Sequence, residues 1–411
     1  MKKYFLPALA PCRDINRKLS APEYYHACVG GSRHTLEVPR EVIFILEGQG
    51  RLPPVRWQLA LDAVVAAHPG CRLRVVGSRL QARWHSDGAP TSLRLLPDQH
   101  WDGRSHAGAE FIYSVPLSLD TGSTSELIVE EAAGFTRLIF RALHAVMDGM
   151  GAMHFFQELF RALRGEVLLG CNAAFSDTDI MHQVAGKSAS PHGRPGPITQ
   201  PNAQGATGDG WLRLSLQTPQ PALLARTALA LAAFARQSDT QTVVIAIPVD
   251  LRRHVPGLHT TSNAASMVHV EVSADDDADA FRRKLRSLLQ QQAEAPHLPI
   301  LDWIRLLPLP WFDRLVSRNP GNFRKRKVLE TAVISNPGAF APRTLACPGF
   351  APQSLYGVPI PGNAFVFLFG LGDRIELTVG LPNVLGDGGR AEALMEHLER
   401  ELSLQGMVQL G

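Results

Sequence analysis

In the first half of the chain, apolar and polar positions alternate between two kinds of block. "EVIFILEG" (41–48) is a short, nearly continuous apolar run, the mark of a buried strand. "VRWQLALDAVVAAHPG" repeats its apolar residues at helical spacing and stops at Pro69-Gly70, which predicts a helix. "CRLRVVG" alternates as a strand does. "SELIVEEAAGFTRLIFRAL" predicts two strands about a turn at Gly134, and "GAMHFFQELFRALRG" an amphipathic helix ended by Gly165.

The second half repeats this style without an internal sequence repeat. "PALLARTALALAAFARQ" predicts a helix opened by Pro221, and the apolar strand "TVVIAIPVD" follows it. "ASMVHVEVS" predicts a strand and "ADAFRRKLRSLLQQQAEA" a helix. "KVLETAVISN", "AFVFLFGLG" and "RIELTVGLP" read as strands, and "GGRAEALMEHLERELS" as a closing amphipathic helix. Between the halves, residues 185–210 are rich in Gly, Pro, Ser and Asn and poor in large apolar side chains, so they predict a linker or crossover. The expected organisation is an N-terminal lobe over 1–184, this linker, and a C-terminal lobe over 211–411. Mixed strands and helices in each half predict two α/β (α+β) lobes with a site between them.

Composition narrows the functional classes. The chain has 411 residues, 45% hydrophobic and 19% charged, which is ordinary globular material for more than one core. A net charge of +3 is far from the concentrated basic face of a nucleic-acid binder, so no nucleic-acid partner is expected. Cysteines at 12, 28, 71, 171 and 347 form no close pairs and no CxxC, which points away from a disulfide framework and from a zinc site and towards a reducing cytoplasm. The opening "MKKYFLPALAPC" is interrupted by Pro7 and Pro11 and runs straight into charged "RDINRK", so it reads as mature protein rather than a signal peptide. No run reaches the roughly 18 to 20 apolar residues of a membrane span.

The chemistry concentrates in "LIFRALHAVMDGMGAMHFF" (138–156). A predicted strand ends at His144, an Asp-Gly pair follows, and a helix opens at once. This arrangement suits a general base at the mouth of a cleft, or equally a core histidine satisfied by a backbone group. Asp148 faces the same side as His144 if the segment is helical, and caps the next helix if Gly149 marks a turn. Gly149 and Gly151 allow close approach of a helix or a substrate. Asn336 reads as a turn former or a hydrogen-bond donor, and Ser262-Asn263 as a loop.

"HAVMDG" resembles the HxxxDG motif of the acyltransferase superfamily that includes chloramphenicol acetyltransferase, peptide-synthetase condensation domains, plant alcohol acyltransferases, wax ester synthases and polyketide-associated acyltransferases of mycobacteria. Four further stretches are similar in order and spacing, so that the resemblance covers about residues 15 to 405. They are "LALDAVVAAHPGCRLRV" (59–75), the helix "MGAMHFFQELFRALRG", "IPVDLRRHVPGLHTTSNAASMVHV" (247–270) and "AVISNPG" (332–338). The chain departs from the pattern at Leu143, where condensation domains usually carry a first histidine. It also has Ser262-Asn263 in place of Gly-Asn and lacks a late DFGWG motif.

The resemblance implies a two-lobed chloramphenicol acetyltransferase-like fold with a channel between the lobes. It implies His144 as the base, Asp148 paired with Arg252 as structural support alongside Gly149, and Leu143, Gly151, Asn263, Ser335 and Asn336 as channel candidates. The expected reaction moves an acyl group from a coenzyme A or carrier-protein thioester to a hydroxyl or amine of a small-molecule acceptor, without a metal or bound cofactor. A free-standing amide-forming condensation enzyme and a catalytically silent binding module stand as alternatives. A monomer is expected, with an acyl or peptidyl carrier protein as the conceivable protein partner. The apolar segment 299–327, with Trp303, Ile304, Leu306, Leu307, Trp311 and Phe312, reads as core packing in preference to a lipophilic channel or a membrane contact. The basic run Arg324 to Lys327 reads as a solvated face, or as a contact to donor phosphates or an acidic carrier.

Overall fold

A computed structural model describes residues 6–30, 40–132, 134–187, 193–202, 208–217, 221–238, 242–296, 306, 328–360 and 362–407. Two large sheets organise these residues. The first is built from β2 (Glu41–Gln49), β5 (Ser92–Pro97), β6 (Ser125–Ala132), β7 (Phe135–Leu143) and β12 (Ala351–Val358), in the order β12-β2-β7-β6-β5. The second is built from β8 (Asp209–Gln217), β9 (Val243–Asp250), β10 (Ala265–Val272), β11 (Ala332–Phe340), β13 (Phe365–Leu371) and β14 (Arg374–Pro382), in the order β10-β9-β11-β13-β14-β8. A small sheet joins β1 (Asn16–Lys18), β4 (Arg83–His85) and β3 (Arg74–Val76). The helices are α1 (Ala21–Gly30), α2 (Pro54–Ala67), α3 (Gly149–Leu163), α4 (Asp177–Val184), α5 (Leu223–Ser238), α6 (Ala278–Gln290), the single turn α7 (Asn383–Gly386) and α8 (Arg390–Met407).

The strand and helix expectations hold for every long periodic segment of the described chain. The even split by sequence does not. Strand β12 belongs to the second half, yet it pairs antiparallel with β2 from Ala351↔Gln49 to Val358↔Ile43 and so completes the first half's sheet. The linker is likewise not free of structure. Ile198 is buried in the second core, and the Thr199 hydroxyl donates to the Leu385 carbonyl at 2.7 Å. Of the segment 299–327 only Leu306 is described, so the proposed lipophilic stretch and the basic run Arg324 to Lys327 lie outside the described residues.

The period of two along a strand puts alternate side chains on opposite faces, and the first sheet buries both. Val42, Phe44 and Leu46 of β2 and Leu138, Phe140 and Ala142 of β7 face α2 and α3 in one core. Ile43, Ile45 and Ile139 face Trp101, Ile112 and Trp211 in another. The second sheet packs Ile245, Ile334, Val366 and Leu377 against α5 and α8, through Leu231, Leu394 and Leu398.

On its second face the first sheet also carries a ladder of buried ion pairs. Arg141 reaches Glu41 at 2.8 Å, its cross-strand neighbour Glu126 at 3.5 Å, and the Ile112 carbonyl. Arg137 meets Glu130 at 2.6 Å and Glu47 at 2.9 Å, and Glu47 continues to Arg213 of the second sheet at 3.1 Å. Opposite charges directly across a ladder attract. Once water is excluded, the loss of one partner costs far more than the pair contributes. Arg141→Ala, which strands the buried Glu41 while Glu126 keeps Arg94, is expected to lower stability by about 3 to 5 kcal/mol. A denaturant midpoint giving a loss within about 1 kcal/mol would contradict the ladder, because that is the scale of exposed pairs.

Candidate active site

Strand β7 ends at Leu143, and the chain turns through Ala145, Val146 and Met147, all buried, before Asp148 caps α3. The turn is held by the amides of Val146 and Met147 donating to the Leu143 carbonyl at 2.9 and 3.3 Å. His144 is thereby fixed at the strand's end, its own amide bonded to the Arg40 carbonyl at 3.0 Å. Leu143 is buried in the first core among Val42, Phe44 and Phe140, so it packs the base of the turn.

Asp148 accepts four hydrogen bonds. The Gly151 and Ala264 amides each donate at 2.6 Å, and Arg252 donates through both terminal nitrogens at 3.0 and 3.1 Å. This two-pronged guanidinium–carboxylate contact fixes orientation as well as charge. Arg252 also bonds Asp250 at 2.9 Å and the Ser262 carbonyl at 2.5 Å. Burial works against the Arg252 charge but is outweighed by Asp148 and Asp250, and its pKa is raised. Asp148 therefore joins the start of α3 to the loop between β9 and β10. It directs no hydrogen bond to the His144 ring among those found.

The same loop reaches His144 directly. Asn263, almost wholly buried, donates through Nδ2 to the His144 carbonyl at 2.9 Å, and Nδ2 lies 3.5 Å from Nδ1 of the ring. Gly151 has no room for a side chain, because a Cβ there would lie 2.2 Å from the Thr261 oxygen. Gly149 is looser, its Cβ position 3.3 Å from Phe44.

Two residues with no signal in the sequence stand beside His144. The His26 ring of α1 stacks on the His144 ring at 4.0 Å between centroids and 4° between planes, and its Nδ1 is buried without a partner. Arg40 supplies the carbonyl noted above and directs a terminal nitrogen to the Tyr25 hydroxyl at 3.4 Å. Burial, chiefly, and the nearby Arg40 charge lower the His144 pKa, against the opposing pull of its own carbonyl and Asp148. His26 is pushed well below the usual histidine range by burial, His144 and Arg40.

Ser335 and Asn336 fall elsewhere. They sit at the irregularity between Ser335 and Gly338 where β11 slips against β13. The Asn336 side chain accepts from the Gly338 amide at 3.1 Å, which is turn chemistry, and Asn336 borders a surface hollow beside Leu223, Phe281 and Leu289 rather than the group around His144. A separate cavity of about 280 Å³ lies between the sheets, walled by Tyr113, Trp211, Val358, Ile360, Asn363 and Leu381. Gly362, next to Asn363, packs under Arg40, whose Nη2 would lie 3.0 Å from a Cβ there.

A strand of the second half that completes the first half's sheet, with the His144 turn held against the loop between β9 and β10, matches the condensation-domain, chloramphenicol acetyltransferase-like fold. The chain has that fold. Solved structures match it over almost its whole length. The first condensation domain of the calcium-dependent antibiotic synthetase, in complex with a substrate analogue, is 16% identical with a TM-score of 0.67, covering 94% of this chain and 95% of that one. A variant of the starter condensation domain of rhizomide synthetase, in complex with C8-CoA, is 14% identical with a TM-score of 0.65, covering 95% of each chain. The condensation domain from the monacolin K polyketide synthase is 14% identical with a TM-score of 0.62, covering 95% and 97%. No family model and no curated protein matches the sequence.

Proposed function

We propose that this protein is an acyltransferase that moves an acyl group from a coenzyme A or carrier-protein thioester to a hydroxyl or amine of a small-molecule acceptor, with His144 as general base. The observation that carries the reading is the His144 turn itself, a ring set at the end of β7 whose backbone is clamped by Asn263 and, through Asp148, by Arg252. A thioester is already activated, so the chemistry asks only for removal of the acceptor's proton and its return to the leaving thiolate. Asp148, Gly149 and Arg252 serve as support, and Gly151 and Asn263 line the approach to the base. The C8-CoA bound by a starter condensation domain of the same fold supports a thioester donor. An amine acceptor, and hence an amide product, is the second reading, favoured by the run of condensation domains among the structural neighbours. Among the described residues no helix is long and apolar enough to cross a membrane.

A base must be neutral to act, and the lowered pKa of His144 keeps it neutral to a lower pH than a free histidine. The rate is therefore expected to be flat around neutrality and to fall only as pH drops below about 6.5. His26→Ala, which lets water reach the stacked face, should move that inflection up towards 6.5, whereas His26→Phe, which keeps the face covered, should leave it low. An inflection above pH 7 in the wild type would sink the assignment of the base.

A further inference from the structure

We infer that His68, His154 and Glu158 form a binding site for a divalent transition metal, Zn²⁺ by preference, that ties the end of α2 to α3. His154 and Glu158 are four residues apart on α3 and so share a face, and His68 is the residue on which α2 ends. One donor atom from each lies within 4.8 Å of the other two. His68 and Glu158 are fully buried and His154 partly so.

A hydrogen-bonded pair alone does not account for this group. His68 Nε2 contacts Glu158 Oε2 at 3.0 Å, and the Gly170 amide donates to the same oxygen at 3.0 Å. That leaves His68 Nδ1, His154 Nε2 and Glu158 Oε1 buried with no hydrogen-bond partner, the last with Arg161 at 3.6 Å. Three orphaned polar atoms in one buried cluster are a costly arrangement that native proteins resolve with a water or an ion. Two imidazoles and a carboxylate are the donor set that zinc takes. Bonds of about 2.0 to 2.2 Å would hold the donors roughly 3.4 Å apart, so the group closes by about an ångström, within reach of side-chain rotation at His154. The His259 ring stacks 5.9 Å from that of His154 at 17°, beside the group.

His68 and Glu158 are fully buried, and an ion held between two helices in this way is structural rather than catalytic.

The test is made on the full chain, free of any affinity tag, stripped with a chelator and titrated with Zn²⁺ and with Co²⁺. We expect uptake of about one equivalent, visible bands of low-coordinate Co²⁺, and a rise of several degrees in Tm. His154→Ala should abolish all three, and Glu158→Gln should weaken them. Wild-type protein that takes up no metal and shows no Tm change at about 100 μM Zn²⁺ would overturn the site. So would uptake that is unchanged in His154→Ala. Neither readout depends on acyl transfer.

Discussion

His144→Ala is expected to lower turnover by about 100-fold or more while the protein stays folded, the range for loss of a positioned general base. Among the described residues the side chain reaches no ion pair, and Asn263 Nδ2 lies 3.5 Å from its Nδ1. Its removal therefore leaves the turn's backbone bonds in place: Val146 and Met147 to Leu143, His144 to Arg40, and Asn263 to the His144 carbonyl. Thermal unfolding should thus move little while the rate collapses. Thioester consumption and product formation are to be followed together, since a base variant that still hydrolyses the thioester would mimic activity if thioester consumption alone were followed. Near-normal turnover in the variant would remove His144 from the chemistry.

The second large effect concerns support. Asp148→Ala removes four accepted hydrogen bonds, among them the cap of α3, and leaves Arg252 buried with Asp250 as its remaining carboxylate. A helix cap contributes about 1 kcal/mol, and breaking a buried pair costs about 3 to 5 kcal/mol. Arg252→Ala strands Asp148 in turn. Each single variant should lose several kcal/mol of stability together with activity, and the double variant should lose clearly less than their sum, because the second substitution removes a charge the first had already orphaned. Strictly additive losses in denaturant unfolding would mean that the contact contributes nothing of its own. His144→Ala and Asp148→Ala thus separate two roles, one visible mainly in rate and the other in rate and stability together.

The sequence made the local half of this site readable and concealed the rest. The strand, turn and helix around His144 are consecutive, so "FRALHAVMDGMGAMHFF" carries its own geometry through apolar spacing and Asp-Gly punctuation. Arg252 is 104 residues from Asp148, and only the resemblance put the two side by side. His26 gave no sign. It sits in "APEYYHACVG", whose apolar residues mark no face clearly enough to predict a helix, let alone a ring stacked on His144. Strand β12, "APQSLYGV", lacks a β-branched run and joins a sheet begun some 300 residues earlier, a pairing that no local pattern encodes. The Glu–Arg ladder was not legible at all. "EVIFILEG" reads as a buried strand without any account of its charges, which lie on the face covered by Trp101, Ile112 and Trp211, where charge balance within the ladder makes the burial tolerable.

The central claim is that this fold transfers an acyl group from a thioester and that His144 removes the acceptor's proton. The most direct measurement supplies purified protein with acyl-coenzyme A and acyl-pantetheine thioesters of several chain lengths, together with pooled small amines and alcohols. Released thiol and acylated product are then quantified from the same reactions in wild type and in His144→Ala. The account predicts equal amounts of thiol and product in the wild type, and loss of both by about 100-fold or more in the variant. Tight binding of a thioester by the wild type with no product from any acceptor, or product formed equally well without His144, would contradict it.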